Sequence, residues 1–108
     1  MSQAYSEQIN LAAEATAILK TLLLLDRAYA AGYLARLLKA DTRFEVRKAY
    51  HKELEIYGAL DDYSAFRIED MTYYLMEQGM VQVDNPTFGT LAISEAGRTF
   101  LGSPQDLW

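Results

Sequence analysis

The sequence has no cysteine, only two prolines and a single histidine. Without thiols the chain can form neither a disulfide nor a thiolate metal site, and cysteine usage says nothing about redox compartment. The lone histidine, His51, has no second histidine, cysteine or aspartate at ligand or triad spacing. It is therefore expected to be a structural, hydrogen-bonded residue rather than a metal ligand or a catalytic base. There is no phosphate-cradling glycine loop and no Ser/His/Asp set, so the chain is not expected to be an enzyme on its own. Long apolar runs are missing too: the richest, Ala15 to Leu25, is broken by Lys20 and is too short to span a bilayer. The first ten residues are polar and lack the basic start of a signal peptide. Repeats and low-complexity segments are absent.

Positive charge is also scarce. Ten basic residues face fifteen acidic ones, a net charge of −5, which by itself argues against phosphate binding. The distribution changes that conclusion. Residues 36 to 52 carry six basic side chains, Arg36, Lys39, Arg43, Arg47, Lys48 and Lys52, against Asp41 and Glu45, a local balance of +4. From residue 53 onward two basic residues oppose ten acidic ones, a balance of −8. A basic stripe on an acidic body can place a polyanion while the remainder repels it.

What is present fits one domain, since 108 residues suffice for a single core and little more. Residues 1–10 are polar and expected to fray. Strong helix formers from Ile9 to Ala28, with Ile18, Leu19, Leu22, Leu23 and Leu25 around most of the cylinder, predict a central, largely buried helix. Tyr33, Leu34, Leu37 and Leu38 predict a second helix ending near Ala40. Asp41-Thr42 offers a cap for a further short helix that would expose Arg43, Arg47 and Lys48. Leu54, Tyr57 and Gly58 suggest a last helical turn closed by glycine.

The segment from Tyr63 to Leu101 is the most legible. Ser64 can cap a helix in which Ile68, Met71, Thr72, Leu75 and Met76 recur at three- and four-residue spacing, with Gly79 just past the end. Met80 to Asp84 and Phe88 to Ile93 flank Asn85-Pro86-Thr87 and predict a two-stranded hairpin. Ser94 can cap a short closing helix. Helix, hairpin and closing helix define a mainly α (α+β) fold, a winged helix-turn-helix with a short β-hairpin wing. Residues 102–108 read as a tail, expected to be a cut made in a longer chain.

Several residues in this frame resemble a known pattern, the RQC (RecQ C-terminal) winged-helix domain of RecQ-family ATP-dependent DNA helicases. His51-Lys52-Glu53-Leu54-Glu55-Ile56-Tyr57-Gly58 is similar to the family's His-x-x-Leu-x-x-Tyr-Gly. The register continues without a gap through Ser64, the apolar helix positions and Gly79, and then through Leu91 to Gly97, similar to the family's Leu-x-Leu-Thr-x-x-Gly. Upstream, Tyr29, Gly32 and Leu38-Lys39-Ala40 resemble the aromatic-Gly and Leu-Arg-Gly positions. The resemblance covers about Ala15 to Leu101, which makes residues 11–101 the expected domain. Departures are Glu53 where lysine is common, the acidic pair Asp61-Asp62 where the loop is often basic, and Ala40 in place of glycine. The wing turn has room for only about four residues, so a strand-separating pin is not expected, and the chain looks like the short-wing bacterial type.

The resemblance implies a non-catalytic module that binds duplex or forked DNA through phosphates, without base readout, and positions it for unwinding. It implies the remainder of a helicase chain as partner, with ATP and magnesium used there, zinc in a separate module and no cofactor in this fragment. Roles in DNA repair, replication and recombination and a cytoplasmic, nucleoid-associated location follow from the same resemblance. By position it nominates Ser64 and Arg67 at the helix start, Lys52 in the histidine motif, and Asn85, Thr87 and Phe88 in the wing. Independently of the family, a helix N-terminus suits a phosphate oxygen, and Arg43, Arg47, Lys48 and Lys52 recur at intervals that would share one helix face. The outward face of the Ser64 helix reads Glu69, Asp70, Tyr73, Tyr74 and Glu77, and such carboxylates do not suit a major groove. The alternative is a winged helix used for protein docking, with Tyr73 and Tyr74 as contacts. Phe88 is expected to pack across the strands on Val81 or Val83, or, on DNA, to stack on a terminal base pair.

Overall fold

The computed structural model describes residues 10–108. The predicted fraying of the N-terminal segment therefore falls almost entirely outside the described residues. In chain order come α1 (Ala12–Leu24), β1 (Tyr29–Ala30), α2 (Ala31–Lys39), a 3-10 turn (Ala49–Glu53), α3 (Ala65–Glu77), β2 (Val81–Asn85), β3 (Thr90–Ile93) and α4 (Glu95–Gly102). This is the expected α+β winged helix, with one addition. The wing is three-stranded, in the order β1-β3-β2, because Tyr29 and Ala30 pair antiparallel with Leu91 and Thr90.

The core is where the periodicities place it. Ile18 and Leu19 of α1, Leu34, Leu37 and Leu38 of α2, and Ile68 and Leu75 of α3 are fully enclosed, with Val81, Leu91 and Ile93 closing the sheet side. α1 is shorter and less enclosed than its leucine run suggests: Leu23 and Leu24 are 42% and 40% exposed. α3 matches its prediction closely. Ser64 Oγ accepts the Arg67 N–H at 3.0 Å, and Gly79, at φ 82°, takes the left-handed turn that lets Met80 N–H reach the Leu75 carbonyl at 3.0 Å. Ser94 caps α4 through the Gly97 N–H at 3.1 Å. Gly97 is required there for space, since a β-carbon would lie 2.4 Å from the Met80 carbonyl oxygen.

The segment between α2 and α3 corrects the sequence expectation. No α-helix forms over 41–50, so Arg43, Arg47, Lys48 and Lys52 do not share a helix face. Asp41 uses its carboxylate locally, accepting from the Arg43 N–H at 3.0 Å and from its guanidinium at 3.0 and 3.1 Å. That arrangement folds the chain into an Asx-type turn in place of a helix cap. The His51 motif starts in the 3-10 turn, and the expected turn from Leu54 to Gly58 forms, with the Tyr57 N–H on the Leu54 carbonyl at 3.0 Å and Gly58 at φ 77°, though not as an α-helix. Past the 3-10 turn it becomes a series of turns whose Gly58 and Leu60 N–H groups bond the Leu37 and Leu38 carbonyls, both at 2.9 Å. The loop thus pairs the Leu38 carbonyl at the end of α2 and gives a second donor to that of Leu37, which also accepts the Ala40 N–H at 3.1 Å. Lys39 Nζ donates to the Tyr63 carbonyl at 2.9 Å and fastens the same end to the start of α3.

Ala40 terminates α2 at φ 59° and ψ 48°, a left-handed conformation that a β-carbon disfavours. Ala40→Gly is expected to raise the unfolding free energy by roughly 0.5–1 kcal/mol, the relief of strain exceeding the added chain entropy and the lost methyl contact. Urea denaturation measures it; an unchanged or lower midpoint would mean that the turn carries no strain.

Candidate nucleic-acid interface

His51 is fully buried and sits at the centre of a polar chain that fixes the basic segment. The Arg47 backbone N–H donates to Tyr33 Oη at 2.7 Å, and Tyr33 Oη lies 2.7 Å from His51 Nδ1. His51 Nε2 lies 3.0 Å from Asp26 Oδ1. Tyr33 Oη, which accepts from Arg47, can give its own proton to Nδ1, with Nε2–H then donating to Asp26. Burial raises the pKa of Tyr33 and keeps that proton in place. Asp26 also accepts from Tyr29 Oη at 3.0 Å and from Lys48 Nζ at 3.2 Å. Partial burial pushes the Asp26 carboxyl up, but the bonds from His51, Lys48 and Tyr29 together outweigh it and hold the group well below the usual carboxylate range. The expectation of a structural histidine holds. Its aspartate partner lies 25 residues upstream, a separation that sequence spacing could not reveal.

The nominated residues divide by what already holds them. Arg43 is clamped by Asp41, whose carboxyl is lowered to about 2 chiefly by that bond. Lys48 is paired with Asp26. Arg47, Lys52 and Arg67 are exposed and form no ion pair among the described residues. Ser64 caps α3 and is exposed at its start. Arg67 borders a shallow groove with Leu11, Asp70, Met71 and Tyr74, away from the cleft that Arg47 lines.

The wing differs from its expectation at Asn85, which belongs to β2, and at Phe88 and Gly89, which lie in the turn. Phe88 lies in the turn between β2 and β3 and is 73% exposed, so it does not pack across the strands on Val81 or Val83. The strand that it was expected to begin starts only at Thr90. Asn85 Oδ1 accepts the Thr87 N–H at 2.9 Å and shapes this turn, with Gly89 at φ 67° completing it. Arg47, Asn85 and Phe88 converge on one cleft of about 460 Å³, together with Arg27, Tyr29, Tyr33, Asp84 and Thr90. Arg27 carried no signal in the sequence, because it lies in the bend between α1 and β1, which has no period to read.

On α3 the outward face is narrower than the sequence suggested. The Glu69 carboxylate lies over Gly32 of α2, and the Tyr74 hydroxyl bonds the Trp108 carbonyl. Phe66, at 75% exposure, and Tyr73, at 49%, remain outside with Asp70 and Glu77. Two carboxylates on that face still oppose insertion into a groove. The tail returns to the body: Leu11 N–H bonds the Leu107 carbonyl at 2.7 Å, and Asn10 bonds Asp106 and Leu107. No helix among the described residues is long and apolar enough to cross a membrane.

A search of curated proteins finds no match. The family model of the RQC domain matches residues 5–107, almost the full chain. Together with the winged helix and the buried histidine of the His-x-x-Leu-x-x-Tyr-Gly motif, this match shows that the chain belongs to the RQC domain family, the non-catalytic DNA-binding module of RecQ helicases.

Proposed function

We propose that this domain holds duplex DNA at a junction through phosphate contacts, without reading bases, and positions it for unwinding by a RecQ-type motor. The observation that carries this reading is the contrast between the two surfaces. Exposed cations without an ion pair among the described residues stand at Arg47, Lys52 and Arg67, while the outward face of α3 carries Asp70 and Glu77. The ATP- and magnesium-dependent motor and the zinc module belong, on this reading, to other parts of a helicase chain.

Salt dependence tests it. If Arg47, Lys52 and Arg67 each neutralise one phosphate, log affinity for a duplex falls against log salt with a slope of roughly −2.7. Recruitment of either paired cation steepens the slope to roughly −3.6. Fluorescence anisotropy with two duplexes of unrelated sequence gives both the slope and the lack of base preference. A flat salt response, or no binding at low salt, would rule the reading out.

Phe66 and Tyr73 favour a second reading, since they lie about two turns apart on one face of α3 between carboxylates. An exposed aromatic and acidic face suits docking of a basic protein surface. On that reading, changes at Phe66 and Tyr73 alter association with the rest of a helicase and leave duplex affinity unmoved.

A further inference from the structure

The outward side of α3 carries one small unit twice. Phe66 and Asp70 stand four residues apart, as do Tyr73 and Glu77, and that spacing makes each pair neighbours on the helix surface. The second pair follows the first by about two turns, so aromatic ring and carboxylate alternate along one line, with about 10 Å between Phe66 and Tyr73. All four side chains face solvent. Phe66 is 75% exposed and Tyr73 49%, with Asp70 and Glu77 exposed beside them. Neither carboxylate forms an ion pair among the described residues, although Arg67 stands only three positions from Asp70. The flanking side chains turn away, the Glu69 carboxylate over Gly32 and the Tyr74 hydroxyl to the Trp108 carbonyl, and leave the row clear.

We propose that this row docks an arginine-bearing segment of a partner protein, one guanidinium held by Phe66 and Asp70 and a second, about 10 Å along, by Tyr73 and Glu77. The proposal rests on the protein-docking reading above and deepens it by naming the side chain that is recognised. A guanidinium is planar: its face stacks on a ring while its N–H edge gives two parallel bonds to a carboxylate. A lysine ammonium is a compact point charge that cannot lie flat on the ring and grip the carboxylate as a fork. Charge excludes the other occupants. Two carboxylates repel a phosphate backbone, and a purely apolar partner would strip water from both without giving them a donor.

The test compares labelled hexa-arginine with labelled hexa-lysine, peptides of equal charge, by anisotropy at about physiological salt. Hexa-arginine is expected to bind at least about fivefold more tightly, and the double variant Phe66→Ala with Tyr73→Ala is expected to abolish that preference. Both side chains are exposed, so the fold is little disturbed. Equal affinity of the two peptides, or a preference that survives in the double variant, would overturn the arginine site and leave docking of a basic surface standing. If neither peptide binds, the docking reading fails and the site fails with it. Amide chemical shifts on titrating the unaltered protein with hexa-arginine locate the contact without any variant. Shifts centred on the exposed side of α3 support the site, and shifts centred elsewhere overturn it. Sedimentation without peptide tests for a second copy as occupant: a monomer supports the proposal, and a dimer that the double variant dissolves overturns it.

Discussion

Replacing His51 with alanine is expected to lower the unfolding free energy by about 4 kcal/mol, a large part of the roughly 5–15 kcal/mol that holds a domain of this size. Two costs combine. The side chain is fully buried, so its removal leaves a cavity, and Tyr33 Oη and Asp26 Oδ1 each lose a partner at 2.7 and 3.0 Å. At about 4–8 °C per kcal/mol, the melting temperature should fall by about 20 °C. Tyr33→Phe removes only the hydroxyl link and should cost about 1–2 kcal/mol. In the double variant the two losses should not add, because both break the same chain of bonds. A melting temperature within a few degrees of the unaltered protein, or strict additivity, would show that the network does not hold the segment. The functional consequence follows from topology. Residues 41–48 have no regular secondary structure, and Arg47 and Lys48 are anchored through Tyr33 and Asp26. Loss of His51 should therefore loosen Arg47 and Lys48, cations of the proposed interface.

The same network marks the limit of what the sequence discloses. α3, the wing and α4 are legible because each is set by local rules: a serine at Ser64 or Ser94, apolar residues at helical spacing, a glycine at Gly79 and a turn at Asn85-Pro86. The basic segment is legible as a charge pattern but not as a shape. Asp41 followed by Thr42 looks like a helix cap, yet the Asp41 carboxylate is taken by Arg43, and the chain from there to the 3-10 turn is held mainly by long-range bonds. No periodicity records such bonds. β1 escapes for a related reason, being two residues long and a strand only because β3 lies beside it. Arg27 lines the cleft from the bend two residues before that strand, where no periodicity marks it. Phe88 fails in the opposite direction. Its type favours a strand, but the Asn85 turn and Gly89 hold it outside the ladder and leave it exposed.

The interface cations should differ in worth according to whether an acid already holds them, and this gives the largest expected effect on binding. Each phosphate contact contributes a salt exponent of about 0.9, so at 0.1 M salt the loss of one contact lowers duplex affinity by about eightfold. Lys52→Ala and Arg67→Ala should each approach that value, since neither forms an ion pair among the described residues. The double reversal Lys52→Glu with Arg67→Glu should lower affinity by at least about sixtyfold, with repulsion adding to the two lost contacts. Folding should be little disturbed. Both residues are exposed, and a glutamate in the first turn of α3 suits the helix dipole. Arg43→Ala and Lys48→Ala should fall well short of eightfold, because contact with phosphate first requires separation from Asp41 at 3.0 Å or Asp26 at 3.2 Å. The salt slope separates the two groups: it should become shallower by about 0.9 in each unpaired-cation variant and change little in the paired ones. Equal losses across all four alanine variants would mean that the domain presents a diffuse positive field. A ranked series would mean that discrete contacts are made, and that Asp26 and Asp41, by holding their partners, decide which cations meet the duplex.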